Sequence, residues 1–367
     1  MKTYRVLGVM SGTSMDGVDL AYCELREDNG KWSYEIIRGE TVPYEEKWRV
    51  RLSQLSKQSA LIYVKTHTFY GHYLGQLCSE FIQSNNLEVD FVASHGHTIF
   101  HQPESGYTAQ VGDGSAISAL TGLPVISDYR TMDVALYGQG APLVPIGDEQ
   151  LFSEYDYCLN LGGFANISMQ DNGNRKAFDV APCNIVLNRI ARNLGEAYDD
   201  RGAIAATGAV QYDLLKELDA IPFYQDFKPK SIGREWLNSE FWPVVRHYDL
   251  EKVPQENLMK TLVDHISGQI ADVIEHYAGA EIASKKVLIT GGGAYNDTLI
   301  DHLRSQCDAQ MVVPENTLLI EYKEALLFAF LGALRLRQES NVLSSVTGAK
   351  ADSVGGAMWG DFSRILN

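Results

Sequence analysis

Residues 12–19 read Gly-Thr-Ser-Met-Asp-Gly-Val-Asp and set two acids, Asp16 and Asp19, beside the hydroxyls of Thr13 and Ser14, between two apolar runs. A hairpin that only reverses the chain needs about two residues, typically Asn-Gly or Asp-Gly. A longer turn of small residues can do more. Its backbone N–H groups can approach phosphate oxygens, its hydroxyls add donors, and a carboxylate can hold a water on Mg²⁺. No Gly-Lys-Ser/Thr follows and the next element reads as a strand, so this is not a Walker A loop. A polar hairpin tip is the plain alternative. Two further turns weigh against it. Asn-Leu-Gly-Gly-Phe-Ala-Asn-Ile-Ser at 160–168 presents Asn160, Gly162, Gly163 and Asn166 between strands. Gly291, Gly292 and Gly293, followed by Asn296, lie between a strand and a helix. Glycine lets a flat ligand or a phosphate come close to the backbone, and a helix N-terminus favours negative charge. Each turn alone is weak; three in one chain point to a nucleotide.

Asp179, in Ala-Phe-Asp-Val-Ala-Pro-Cys-Asn, ends a strand just before Pro182, a residue suited to the first position of a helix. An acid at such a junction projects into a cleft and suits a general base, with a helix-capping role as the alternative. His95, His97 and His101 have spacings that invite a metal site, but no Cys or acid nearby completes a zinc set, so polar substrate contacts are the better reading. Lys230, Ser231 and Arg234 fall in a stretch that reads as a surface loop able to meet an anionic group or simply to connect elements.

These residues need a frame. Residues 4–25 read as a hairpin and 32–42 as a third strand. Residues 45–84 read as largely helical, with Leu52, Leu55, Leu61, Val64, Phe69, Leu74, Leu77 and Phe81 at helical spacing. Strands follow at 89–96 and 123–130, with a helix between them for which Ser115 is a candidate N-cap. From about residue 131 the plan restarts: strand, glycine turn and strand over 155–170, a third strand at 175–182, a helix at 185–195, the clearest helix at 256–278, strand–turn–helix over 286–303, and a last helix at about 321–337. Strands first, then alternation, indicates an α/β fold. The expected domains are 1–130, completed in one version by a C-terminal segment, and 131–367.

At 367 residues the chain has room for two domains, and its 45% apolar and 21% charged content is that of a globular protein. No apolar run reaches membrane-spanning length, and the N-terminus lacks a signal-peptide pattern, so the expected location is the cytoplasm. Five scattered cysteines argue for reduced thiols. A net charge of −16 argues against nucleic acid or an anionic membrane as partner.

Several of these motifs, in this order, closely resemble the anhydro-N-acetylmuramic acid kinases of bacteria: GTSMDGVD, SHGHT, DVALYGQGAPLVP, NLGGFANIS, FDVAPCN, PKSIGRE and GGGAYN, with VTGAKADSVGGAMWGD near the end. The resemblance implies the fold shared by sugar kinases, Hsp70 and actin: two RNase-H-like domains with ATP and Mg²⁺ in the cleft. It makes Gly12, Thr13, Ser14, Asp16, Gly17 and Asp19 the first phosphate loop, Asn160, Gly162, Gly163 and Asn166 the second, and Gly291, Gly292, Gly293 and Asn296 the adenosine side. Mg²⁺ is then held mainly by ATP phosphates and water, with Asp16 the one protein contact considered. Substrate contacts fall on His97, Thr98, Arg130, Asp133 and Gln139, and Arg130 or Arg234 could meet the lactyl carboxylate. Asp179 becomes the base. Glu324 matches an acidic position that assists catalysis, with an ordinary surface Glu as the alternative. Homodimerisation is implied by the same resemblance.

The implied reaction phosphorylates O6 of 1,6-anhydro-N-acetylmuramate while water opens the anhydro bridge, a step of peptidoglycan recycling. Departures from the family pattern occur at His97 (usually Gln), Tyr137 (usually Gly), Val180, Ala181, Cys183 (usually Thr, Gly, Gly) and Arg201 (commonly Asp). They are expected around the sugar pocket. The rival readings are a kinase of another anhydro-sugar such as levoglucosan, an ordinary sugar kinase, and a non-catalytic ATP-gated binding protein.

Overall fold

In a computed structural model the described residues are 1–12, 15–248 and 253–366. The chain divides into two compact units, Met1–Phe152 together with Tyr322–Asn367, and Ser153–Glu321. The expected boundary at 130/131 therefore moves. The short helices Thr131–Ala135 and Pro145–Leu151 belong to the first unit, and so do the last 46 residues.

The first unit is built on β1 (Lys2–Ser11), β2 (Gly17–Asp28), β3 (Lys31–Pro43), β4 (Phe91–Gln102), β5 (Tyr107–Val111), β6 (Val125–Ser127) and the last strand, β12 (Ala357–Trp359). The strands lie in the order β12-β6-β4-β1-β2-β3, with β5 on β4. The first three form the expected antiparallel meander, whereas β4 runs parallel to β1 and β6 parallel to β4. β1 is a near-continuous apolar run because both of its faces are covered. Leu7 and Val9 join a core with Tyr70, Leu74, Cys78 and Phe81 of the helix Ala60–Ser84. Side chains alternate along a strand, so Gly8 faces the other way. There a Cβ would lie 2.0 Å from the carbonyl oxygen of Ala325, and the part of the helix Thr317–Leu336 that follows Tyr322 rests directly on the sheet.

Several expected elements shift. The 45–84 stretch breaks into Glu46–Gln54, a 3₁₀ turn at Leu55–Lys57, and the helix from Ala60. Leu61, Val64 and Phe69 point outward, each more than half exposed, because the sheet takes the face carrying Tyr70, Leu74 and Phe81. The helix Gly114–Thr121 is capped by Asp113, whose carboxylate accepts the Ser115 N–H at 2.9 Å, and not by Ser115. The last helix starts at Thr317 and carries a non-helical Tyr322 (φ −114°, ψ 16°).

The second unit repeats the plan. β7 (Tyr157–Leu161), β8 (Phe164–Asp171) and β9 (Asn174–Pro182) form an antiparallel meander, and β10 (Lys286–Thr290) and β11 (Gln310–Val312) add in parallel, in the order β11-β10-β7-β8-β9. Both sheets thus read third, second, first, then two parallel strands, the RNase-H-like arrangement. The helix Gln255–Ala278 buries Leu258, Leu262, Ile266, Ile270, Val273 and Ile274. Pro182 closes β9 instead of opening the helix; Cys183 occupies the cap and the helix runs Asn184–Asn193. All five cysteines are buried thiols. Among the described residues no helix is long and apolar enough to cross a membrane.

Candidate active-site elements

In the second unit the ladder sets Thr290, Asn160, Asn166 and Asp179 side by side across β10, β7, β8 and β9. Neighbouring residues of paired strands share a face, so one polar row crosses the sheet at the ends of its strands. Asp179 is half-buried. Its Oδ2 accepts the Ile232 N–H at 3.0 Å and the Ser231 hydroxyl at 3.1 Å, and its own N–H donates to the Lys230 carbonyl at 3.0 Å. Among the described residues nothing hydrogen-bonds Oδ1. Burial raises the Asp179 pKa, and the Ile232 and Ser231 donors restrain that rise. The 229–236 stretch is therefore a strap on Asp179 through Ser231 and Ile232, while Arg234 and Glu235 are exposed to solvent. The Lys230 ammonium turns back onto the carbonyls of Phe223 and Asp226 and over the Phe223 ring, so its donors are engaged within its own loop.

The glycine turns of this unit are packed together. Gly291 sits at φ +82°, where a Cβ would lie 2.4 Å from the Asn160 amide oxygen; a Cβ on Gly293 would lie 2.6 Å from that of Leu161. The carbonyls of Gly162 and Gly163 accept the N–H groups of Cys183, Asn184 and Ile185 at 2.9–3.1 Å, so the first amides of the helix Asn184–Asn193 are used internally. Among the described residues the N–H groups of Gly162 and Gly163 donate no backbone hydrogen bond, and the two glycines are half-buried and exposed, respectively. Asn296 differs from its expected role. It is buried, and its side-chain oxygen caps the helix Asp297–Gln306 through the Leu299 N–H at 2.9 Å. Beside this turn lies a cavity of about 420 Å³ lined by Asn184, Asn188, Tyr198, Asp200, Arg201 and Tyr295, among others.

In the first unit Thr13 and Ser14 lie outside the described residues. Gly12 is half-buried and Asp16 exposed. Asp19 accepts the Thr41 hydroxyl at 2.7 Å. Gly17 is a packing residue, since a Cβ there would lie 2.4 Å from the Val42 carbonyl oxygen of β3. At the end of β1, Ser11 bonds Tyr44, accepts from Tyr70 at 2.9 Å, and meets His97 Nδ1 at 2.8 Å. His97 is only 1% exposed, and burial pushes its pKa down to about 4. His95 is likewise held neutral by burial and by Arg130. Its Nε2 accepts Arg130 Nε at 3.0 Å while Nδ1–H donates to the Gly96 carbonyl at 2.9 Å. Arg130 also donates to the Gly140 carbonyl at 2.7 Å, and burial lowers its pKa to about 10, against the charge of Glu324.

Asp133 lies deeper than a substrate contact can. It is fully buried, and its two oxygens take the Gly140 N–H and the Thr347 hydroxyl, each at 2.7 Å. It ties the Gly138–Gly140 loop to the C-terminal segment. Gln139 is exposed at the tip of that loop, and half-buried Thr98 accepts from Gln110 at 3.3 Å. His101 bonds Thr108, so the three histidines have separate environments; among the described residues no three metal-ligating side chains converge. Glu324 is open to solvent, yet the protein around it raises its pKa; the charge of Asp19 adds to this, and Arg130 and Lys323 oppose it. The adjacent Lys323 forms a buried ion pair with Asp148 at 2.7 Å.

The sequence profile of the family described as anhydro-N-acetylmuramic acid kinase matches residues 4–361. Proteins of that name share 34% identity in Coxiella burnetii (98% of this chain, 99% of that one), 35% in Acinetobacter baylyi (94% and 96%) and 33% in Legionella pneumophila (96% and 97%). This chain belongs to the anhydro-N-acetylmuramic acid kinase family. Among solved structures, a ROK-family glucokinase from Streptomyces griseus aligns over 89% of this chain and 98% of that one at 12% identity, with a TM-score of 0.42, too slight a likeness to add to the assignment.

The departures of this family member fall differently from expectation. Val180, Ala181 and Cys183 are all within 1% of full burial and face the core, not a ligand. Tyr137 is exposed at φ +68°, a conformation that glycine adopts freely and other residues adopt at a cost. Arg201, also at positive φ, lines the cavity. Sequence reasoning missed Ser231 and Ile232 as the partners of Asp179; their only signal was motif order. A test of that strap follows from linkage. Ser231→Ala removes a donor that favours the ionised carboxylate, so the Asp179 pKa rises further. The acid limb of the kcat/KM profile then moves to higher pH, and an unmoved limb would show that the hydroxyl does not tune Asp179.

Proposed function

We propose that this chain is the ATP-dependent kinase that opens the 1,6-anhydro bridge of 1,6-anhydro-N-acetylmuramate with water and phosphorylates O6, giving N-acetylmuramate 6-phosphate and ADP. The observation that carries this reading is Asp179, a strapped carboxylate with one uncommitted oxygen at the end of a polar row. Family membership supplies the substrate.

In the proposed reaction Asp179 Oδ1 accepts a proton from water as the water oxygen bonds to C1. The C1–O6 bond breaks with its electron pair on O6, and O6 bonds to the γ-phosphorus as ADP leaves. Attack opposite the departing bridge inverts C1. The proton on Asp179 returns to solvent. Ser231 and Ile232 keep the carboxylate oriented, and the Gly162 and Gly163 amides are available to phosphate oxygens. Glu324, set among Asp19, Arg130 and Lys323, is the second proposed catalytic group. The donor set fits a cation carried in on the nucleotide, because single carboxylates at Asp16 and Asp19 suit water-mediated contact better than a protein cage. Bound Mg²⁺ would neutralise charge on the transferring phosphate.

The test is turnover with ATP, Mg²⁺ and the anhydro-sugar in ¹⁸O-water. One ¹⁸O at C1 with one phosphate on the sugar is the expected product. Turnover on levoglucosan or a plain hexosamine alone would move the substrate. A cytoplasmic homodimer belongs to the same proposal, and light scattering at twice the 40.8 kDa chain mass is its check.

A further inference from the structure

The cavity beside the Gly292–Asn296 turn contains a residue that stability does not explain. Arg201 sits at φ +53° on the turn Asp199–Gly202. The turn is fixed from both sides. Asp199 accepts the N–H groups of Ile204 and Ala205 at 2.7 and 3.1 Å, and Thr298 donates to the Gly202 carbonyl at 2.8 Å. At Gly202 a Cβ would lie 2.2 Å from the Asn296 amide oxygen. The turn is thus locked against the glycine turn, and Arg201 is among the residues that line the cavity. Arg201 Nε and Nη2 both bond Asp297 Oδ2, at 2.8 and 2.7 Å, in a pair that is 64% and 51% exposed. Exposed pairs of this kind add little to stability, and a non-glycine residue at positive φ costs some.

A ligand accounts for the arrangement. The pairing fixes the plane of the guanidinium and leaves one flat, weakly hydrated face and Nη1 available. Asp199, Asp200 and Asp297 outnumber the single cation, so the local field disfavours a phosphate and suits a neutral, flat group. We propose that Arg201, braced by Asp297, stacks on the nucleobase of the phosphoryl donor and sets this enzyme's affinity for it. The inference rests on the nucleotide reading above.

Arg201→Asn tolerates the left-handed backbone, so it removes the guanidinium without threatening the fold. Arg201→Lys keeps the charge and loses the plane. Each is expected to weaken ADP binding by calorimetry about tenfold and to raise the KM for ATP by a similar factor. The KM for the anhydro-sugar stays unchanged, and so does affinity for tripolyphosphate, which has no base. Wild-type ADP affinity in Arg201→Asn would overturn the proposal, and full rescue by Arg201→Lys would overturn stacking in favour of charge. If the wild-type enzyme bound no nucleotide at all, the nucleotide reading itself would fall.

Discussion

Asp179→Asn lowers kcat about a thousandfold and leaves ADP affinity unchanged. The amide keeps the shape of the carboxylate, and its oxygen can still accept from Ser231 and Ile232. What it loses is the ability to take a proton from water. The glycine turns that would meet phosphate belong to other strands and keep their own packing contacts. Pre-steady-state ADP release and calorimetry on the same preparation separate the two effects. Turnover within tenfold of wild type would remove Asp179 from the base role, whatever happened to binding. The wild-type pH profile supplies a companion check. Because burial raises the Asp179 pKa, the acid limb of kcat/KM lies above the ordinary aspartate range of about 3.9.

The second large effect concerns stability. His97 is neutral in the folded protein, with its pKa lowered to about 4, whereas an unfolded histidine titrates near 6.5. Below 6.5 the unfolded chain binds a proton that the folded chain refuses. Stability that is complete above pH 6.5 is therefore lost as pH falls toward 4. The loss attributable to His97 is about 3 kcal/mol over that window. His95 acts in the same direction. His97→Gln removes one of the two, so its denaturant midpoint falls less between pH 6.5 and 4 than that of wild type, by the equivalent of about 3 kcal/mol. Parallel pH curves for the two proteins would show that the imidazole does not titrate against burial.

What could be read from the sequence was the part encoded locally. The alternation and turn chemistry of residues 4–42 and 155–182 specify a meander each time, and both meanders are present. Asp179 was visible as an acid between the apolar Phe178 and Val180, although the strand it was expected to end runs on to Pro182. The misreadings have a common cause, which is that tertiary partners decided between local options. Asp133 falls among the substrate contacts that the family resemblance implies, but its carboxylate is claimed by the Thr347 hydroxyl, 214 residues away. Ser231 and Ile232 lie more than fifty residues from the carboxylate they hold. Val180 and Cys183 sit beside Asp179 in the chain, but the strand's alternation and the core claim their side chains. Helical periodicity was correct for 60–84 but not its inward face, because Leu61, Val64 and Phe69 satisfy the same spacing as the buried stripe.

The contact of Gly8 with Ala325 sets an order on synthesis. Ser153–Glu321 is one uninterrupted stretch, complete as soon as its last residue leaves the ribosome. The first 152 residues emerge earlier but cannot finish folding then, because the helix that covers Gly8 and the strand that pairs with β6 are both made last. Nascent chains fold as units when their parts are present. The unit translated second is therefore the one completed first, and a β1 surface awaiting its helix is the apolar face that a chaperone would meet on the growing chain.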